Sequence, residues 1–510
     1  MSESLYDKLV QVAQANPDKS CLLFEDSKSV SYAQLFDQVN CVAAVLHECG
    51  IAVGDRVVAH CEKTQLTLSL YLACLQVGAI YVPLNTAYTS NELGYFLENA
   101  KPKLYVGSSR IESLGIPSID QFTLKDDGSG SLDDAMQHVT SRRQSSAKRS
   151  HDDVAAILYT SGTTGRSKGA MLTHGNLLSN ALTLNDVWGF RADDVLLHAL
   201  PIYHVHGLFV AIHCVLLSGS SMIFQQRFDV QNAIRELPNA TVLMGVPTFY
   251  TRLLAHPEFN QRVVSNMRLF ISGSAPLAEQ TFREFYERSG MAILERYGMS
   301  ETLMNTSNPL NGERKAGTVG FPLPGVSLRI ADERGIERPA GEVGGIELTG
   351  PNVFKGYWEM PEKTAQEFRT DGYFVTGDMG VQDEDGRVSI VGREKDIVIS
   401  GGLNVYPAEV ETAIGELPGV ADVAVIGAPH PDFGEGVVAI VVSETGKDVE
   451  TSDVRAQLKG VLAGFKQPQW VATIGELPRN AMGKVQKNSL REQFREVFTR
   501  TESSVTPDSR

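Results

Sequence analysis

Apolar positions recur along this chain in two alternating rhythms. Leu5 to Ala15 repeats at helical spacing, and Cys21-Leu22-Leu23-Phe24 is an unbroken apolar run of strand length. Ser31 stands before Tyr32-Ala33-Gln34-Leu35 as an N-cap and predicts a helix start. Asp55 to Cys61 reads as a strand, and Leu66 to Gly78 is apolar enough for a buried helix. Helix and strand patches alternate without hairpin signals, which predicts an α/β layered fold. Residues 123–150 are rich in Gly, Ser, Asp and Lys and predict a loose surface connection.

The alternation then resumes. Val154 to Leu158 predicts a strand, Tyr159 to Gly169 a flexible loop, and the region from His174 a helix. Further strands are expected at Val195 to Leu200, Met222 to Phe224, Val242 to Met244 and Leu269 to Ile271. Between 326 and 395 the pattern turns to β, with Ser327 to Ile330, Gly345 to Leu348 and Val388 to Val391 set among Gly and Asp turns. After that come a helix near Ala408 to Glu411, strands Val423 to Ile426 and Val437 to Val442, and a helix over 453–463. A chain of 510 residues exceeds one ordinary core. The expected fold class is α/β. A large N-terminal domain spans 1–395, with layered α/β sheets and a β-rich part at about 326–395. A small mobile α+β C-terminal lid domain spans 396–499, and a polar, disordered tail spans 500–510. No internal repeat is present.

Composition narrows the function classes. Hydrophobic content of 42% and charged content of 21% are those of a soluble globular protein. A net charge of −15 argues against a nucleic-acid partner. The six cysteines, Cys21, Cys41, Cys49, Cys61, Cys74 and Cys214, form no CxxC pair and read as reduced structural thiols. The N-terminus shows neither a signal peptide nor an Arg-rich transit pattern. No segment reaches the roughly 18 apolar residues of a membrane span. The expectation is a cytoplasmic protein, monomeric or a small homo-oligomer, without membrane or nucleic-acid partners.

Five stretches carry candidate chemistry. The first is the loop Tyr159-Thr160-Ser161-Gly162-Thr163-Thr164-Gly165-Arg166-Ser167-Lys168-Gly169. Its glycines let the backbone approach a ligand, and its hydroxyls and N–H groups suit phosphate oxygens, with Lys168 as a cation. A polar surface turn would have the same composition. It is not a Walker P-loop, since Ser167 and Gly169 flank Lys168. The second is Glu295-Arg296-Tyr297-Gly298-Met299-Ser300-Glu301-Thr302, where a glutamate past a strand-end glycine could hold Mg²⁺. The third is Thr376-Gly377-Asp378, either a ribose-binding acid or an ordinary Asx turn. The fourth runs from Gly392 to Gly402, and the fifth is Pro478 to Val485, where Lys484 could equally be a solvated charge.

Together, in this order and over nearly the whole chain, these stretches resemble the acyl-adenylate-forming superfamily: acyl-CoA synthetases, peptide-synthetase adenylation domains and firefly-type luciferases. The resemblance implies ATP, Mg²⁺ and coenzyme A as cofactors and small molecules as the other partners. It implies that Thr160, Ser161, Gly162, Thr163, Thr164, Gly165 and Lys168 close over the ATP phosphates. Glu301 would hold Mg²⁺ and Thr302 would touch the α-phosphate. Ser274, Ala275, Pro276, Glu295, Tyr297 and Gly298 would line the adenine side, and Asp378 and Arg393 would bind the ribose. Asp396 would be the hinge, Lys484 the adenylating lysine, and Gly401 and Gly402 would lie near the pantetheine tunnel once the small domain rotates.

Carboxylate and α-phosphate repel one another, so an ammonium bridging both lowers the barrier to their union. Thioester formation then needs that space for the pantetheine arm, and a pivoting small domain serves both steps.

The acid is suggested by Arg296, where many relatives carry a small residue. A guanidinium there offers a bidentate fork for a second carboxylate. Pro201 to Val210, Phe228-Asp229, Gly245 to Thr248 and Glu295 to Thr302 resemble malonyl-CoA synthetases most. His206, Ser274 and Met304 are the further pocket candidates, with His204 and His206 also readable as packing groups. The implied activity is ATP-dependent ligation of malonate or methylmalonate to CoA, an AMP-forming acid–thiol ligase. The runner-up is a short- or medium-chain fatty acyl or aryl acid CoA ligase in which Arg296 is structural.

Overall fold

Strands buried on both faces need unbroken apolar runs, and Val195–His198, Ser221–Phe224, Val242–Gly245 and Leu269–Ser272 meet that need side by side and parallel. The computed structural model describes residues 4–109, 119–139, 146–160, 167–444, 449–480 and 483–498. Among these residues the strands form four sheets. The nine-stranded sheet runs Phe321–Pro322, Leu303–Ser307, Leu294–Met299, Leu269–Ser272, Val242–Gly245, Val195–His198, Ser221–Phe224, Ser20–Leu23, Ser29–Ser31. Its strands from Leu294–Met299 to Ser20–Leu23 are parallel, so their carboxyl ends lie along one edge.

The six-stranded sheet has the order Asp120–Thr123, Leu104–Gly107, Arg56–His60, Ile80–Pro83, Val154–Thr160, Lys168–Thr173. Helices Tyr32–Glu48 and Gln65–Val77 contribute to the main apolar core. Ser31 caps the first through a capping box with Gln34, as the sequence predicts. The second is buried from Leu66 to Gln76 and stops at Gly78, whose φ of +78° only glycine adopts cheaply.

The β-rich part is an antiparallel sheet of Ser327–Ala331, Gly344–Thr349, Phe374–Gln382 and Val388–Arg393. Beyond it a five-stranded sheet joins Leu403–Val405, Val398–Ser400, Gly434–Ser443 and Val420–His430, with Trp470–Ile474 parallel to Gly434–Ser443. This last sheet carries two apolar clusters, one including Val410, Ile414 and Leu458, the other Leu477 and Leu490. Arg283 reaches across to Glu416 at 3.1 Å and joins this part to the body. No helix among the described residues is long and apolar enough to cross a membrane.

Three local expectations differ from the fold. The connection expected to be loose contains the helix Ser131–His138, whose Leu132 is buried in the core. The stretch expected to run from loop to helix contains a strand, Lys168–Thr173, antiparallel to Val154–Thr160. The helix expected over 453–463 is Thr451–Leu458, cut off by extended Lys459 and by Gly460 at φ +86°. The tail at 500–510 lies outside the described residues.

Candidate active site

Ligands of open α/β sheets bind past the carboxyl ends of the strands, and the predicted residues gather at that edge. Gly245, Ser272 and Glu295 stand in register on neighbouring strands there. The strand Leu294–Met299 alternates its side chains between two environments. Glu295 turns to Leu277, whose N–H donates to its carboxylate at 3.1 Å. Burial pushes the Glu295 carboxyl up to about 8, against that hydrogen bond and the adjacent Arg296 charge.

Arg296 turns the other way and is 2% exposed. Its guanidinium lies across Gly273, where an added Cβ would stand 2.5 Å from the guanidinium carbon, so a larger residue would displace the guanidinium. Its Nε and Nη2 are buried without a hydrogen-bond partner. Burial pulls the guanidinium down to about 10. Ser274 follows at φ +71°, a conformation that costs a non-glycine residue energy and marks functional turns. Its Oγ lies 3.3 Å from His206 Nδ1, and His206 Nε2 is buried and unpartnered. Burial and then Arg296 push His206 well below its usual range and His204 to about 4. Both imidazoles are therefore neutral near pH 7, and the unmatched charge in this pocket is that of Arg296. Met304 is fixed by Asn180, which donates to its carbonyl at 2.9 Å and accepts its N–H at 3.3 Å.

A second group lies on the other side of the same strand. The Tyr297 hydroxyl donates to Asp378 Oδ2 at 2.5 Å, and Arg393 Nε meets Asp378 Oδ1 at 2.6 Å. Glu301 accepts from the Thr160 hydroxyl at 3.3 Å and lies 3.1 Å from the Tyr357 hydroxyl. Burial raises its carboxyl. Beside it the Thr302 hydroxyl is buried without a partner, while the Thr302 carbonyl accepts from Asn352 at 2.6 Å. A buried carboxylate with a free hydroxyl beside it suits a hard cation that completes its shell with phosphate oxygens and water. No cluster of three or more His, Cys, Asp or Glu exists among the described residues, so the protein alone builds no closed metal cage there.

Lys168 is held by partners on the far stretch of the chain. Its ammonium is buried, donating to Glu367 at 2.9 Å and to the Tyr357 hydroxyl at 3.2 Å. Ser161, Gly162, Thr163, Thr164 and Gly165 lie outside the described residues. Ala275 and Pro276 follow Ser274 on its turn, and Gly298 has no room for a Cβ against the Leu303 carbonyl. Gly401 and Gly402 form an exposed turn at φ +59° and +80° beside Phe433.

Lys484 sits on a turn in which its N–H donates to Asn480 Oδ1 at 3.0 Å, next to Gly483, which faces Thr248. Lys484 is exposed, and its ammonium is pulled down to about 8 by partial desolvation and then by Arg393, with Asp378 and Asp396 opposing. Asp396 meets Arg491 at 2.6 Å.

Tyr357, Glu367, Asn180, Asn352 and Arg491 are absent from the sequence reading. Each acts on a site residue through a contact distant in the chain, and no local motif marks them.

The AMP-binding enzyme family model matches residues 9–358, and the model for the AMP-binding enzyme C-terminal domain matches residues 409–484. The crystal structure of ATP-bound MatB from Rhodopseudomonas palustris superposes with a TM-score of 0.94 at 51% identity, covering 98% of this chain and 100% of that one. A mitochondrial malonate–CoA ligase of Mus musculus is 34% identical over 91% of this chain and 87% of its own. A feruloyl-CoA synthase of an Amycolatopsis species is 35% identical over 91% and 94%. The last two carry different acids in their names at nearly equal identity, so overall likeness does not choose the acid and the pocket must.

Proposed function

The chain belongs to the AMP-binding enzyme family, and from that premise we propose that the acid it joins to coenzyme A is malonate. The reaction class is AMP-forming acid–CoA ligation with ATP and Mg²⁺. The observation that carries the choice of acid is the buried Arg296 guanidinium with two unpartnered nitrogens, Nε and Nη2. An isolated buried cation is costly, and a planar carboxylate is the partner that matches its fork. Malonate brings one carboxylate to react and a second to pair with Arg296. A monocarboxylate would leave the cation unmatched. Ser274 and His206 would complete the pocket with a hydroxyl and a neutral imidazole. A methyl branch is worth only about 1–3 kcal/mol in such a pocket, so methylmalonate is the natural second substrate.

In the first step a malonate carboxylate oxygen attacks the α-phosphorus of ATP, forming the mixed anhydride and releasing pyrophosphate. Lys484 would bridge the two anions, with Thr302 at the α-phosphate and Asp378 and Arg393 at the ribose. Glu301 would hold Mg²⁺, which supplies positive charge against the phosphate oxygens when bound. In the second step the CoA thiol gives up its proton, its sulfur attacks the activated carbonyl, and the C–O bond to AMP breaks. Rotation about Asp396 would withdraw Lys484 and bring Gly401 and Gly402 to the thiol's path. We place the enzyme in the cytoplasm, in keeping with six free cysteines, four of them buried.

The test is a panel of malonate, methylmalonate, acetate, propionate and ferulate with ATP and CoA, with AMP and thioester measured together. Malonate should have the highest kcat/KM. A higher value for any monocarboxylate overturns the assignment.

A further inference from the structure

A buried lysine lies beneath the acid pocket and forms no ion pair among the described residues. Lys63 follows the strand Arg56–His60 and is 5% exposed; His198 ends the strand Val195–His198 and is 1% exposed. Lys63 Nζ lies 2.8 Å from the His198 carbonyl, 3.1 Å from the Leu200 carbonyl and 2.5 Å from His198 Nδ1. His198 Nε2 lies 2.9 Å from the Gly207 carbonyl. The Phe224 ring covers the ammonium at 4.4 Å.

Burial pulls both Lys63 and His198 well below their usual ranges, and the backbone hydrogen bonds of His198 oppose that pull. The three carbonyls only accept, so they take two Nζ hydrogens and the Nε2 hydrogen. A neutral amine and a neutral imidazole hold just those three. Two lone pairs would then face each other across 2.5 Å. A fourth hydrogen between Nζ and Nδ1 removes that repulsion, so the pair carries one positive charge whichever nitrogen owns the proton.

The same contacts close a loop. The Leu200 carbonyl opens the segment that carries His204 and His206, and the Gly207 carbonyl ends it. Gly207 packs on the Pro201 carbonyl with no space for a Cβ. The chain then enters a π-helical turn, His206–Ile212, of the kind that gathers at functional sites. His206 reaches Ser274, and the Arg296 charge lowers its proton affinity beyond the effect of burial.

We propose that Lys63 is a positioning residue of the acid pocket: with His198 it ties the two ends of the 200–207 loop and keeps a buried positive charge beneath it, favouring an acid that retains a second negative charge. This rests on the malonate reading and extends it to a residue outside the pocket wall.

The test measures KM and kcat for malonate, propionate and ATP in wild type, Lys63→Met and Lys63→Arg, with melting temperatures. Lys63→Met should raise the malonate KM by about tenfold or more while propionate and ATP KM stay within about threefold, and Lys63→Arg should recover part of the loss. Equal changes for malonate and propionate in a folded variant overturn the inference. If Lys63→Met does not fold, the same ratio is read on Lys63→Gln, whose amide can still donate to the backbone carbonyls but carries no charge. A wild type that does not prefer malonate sinks the functional reading instead, so the two failures are distinct.

Discussion

Asp396 and Arg491 are 95 residues apart in sequence, yet their carboxylate and guanidinium meet at 2.6 Å. The pair forms in the orientation in which Lys484 lies within the influence of Arg393, Asp378 and His204. Under the role proposed for Lys484, the pair favours the arrangement suited to adenylation and must be rebuilt if the backbone at Asp396 turns. A partly buried pair of this kind is worth about 1 kcal/mol, so Arg491→Ala should slow ATP–pyrophosphate exchange by about three- to tenfold. Thioester formation from acyl-adenylate supplied by rapid mixing should keep its rate. Equal loss in both half-reactions would refute this role.

The Arg296 prediction rests on burial without a partner. Arg296→Ala should lower kcat/KM for malonate by a factor of roughly 10², about 3 kcal/mol, for loss of a charge-assisted pair. Propionate should lose far less. Gly273→Ala tests the same point from the backbone, since its Cβ would stand 2.5 Å from the guanidinium carbon and push it aside. Both variants should show the same malonate-selective loss in steady-state kinetics. Matching losses for both acids would make Arg296 a structural group.

Which parts of this arrangement were legible in the chain follows from how local each one is. The Ser31 cap and the run Val242–Gly245 need only neighbours within a few residues, and both appear where the pattern places them. The strand Lys168–Thr173 was hidden because both of its faces are covered, which removes the polar-apolar alternation of an exposed hairpin. The helix Ser131–His138 was hidden because it buries Leu132 alone and Gly130 gives it no side-chain cap. Glu301, Asp378 and Lys484 sit in recognisable stretches of the sequence. Lys63 and His198 are 135 residues apart, and Tyr357 and Glu301 are 56 apart. Their contacts arise only once the sheets are assembled, and no periodicity encodes them.

Tyr357 stands between two carboxylates, 3.1 Å from Glu301 and 2.8 Å from Glu367, with Lys168 at 3.2 Å. The phenol holds Glu301, and the Lys168 ammonium holds the phenol and Glu367. Tyr357→Phe keeps the ring and removes the hydroxyl, at about 1 kcal/mol for one hydrogen bond. The Mg²⁺ concentration giving half-maximal ATP–pyrophosphate exchange should rise about fivefold, with kcat at saturating Mg²⁺ nearly unchanged. The Mg²⁺-dependent rise in melting temperature with ATP should shift to the same degree. An unchanged Mg²⁺ dependence in both measurements would separate Tyr357 from the metal.

The last prediction concerns pH. Lys484 is held at about 8, first by desolvation and then by Arg393. A depressed lysine is charged below that value and loses its proton above it. Adenylation needs the charged form to offset carboxylate and phosphate, so kcat/KM for malonate in the exchange reaction should be flat up to about pH 7 and fall about tenfold per unit well above pH 8. Since kcat/KM reports the free enzyme, the fall should follow the ammonium before ATP binds. Bound nucleotide adds negative charge and raises that proton affinity, so the limb seen in kcat should lie at higher pH. Lys484→Ala should abolish exchange at every pH while thioester formation from supplied acyl-adenylate persists without the alkaline limb. A limb near pH 8 that remains in the second half-reaction of Lys484→Ala would assign the titration to another group.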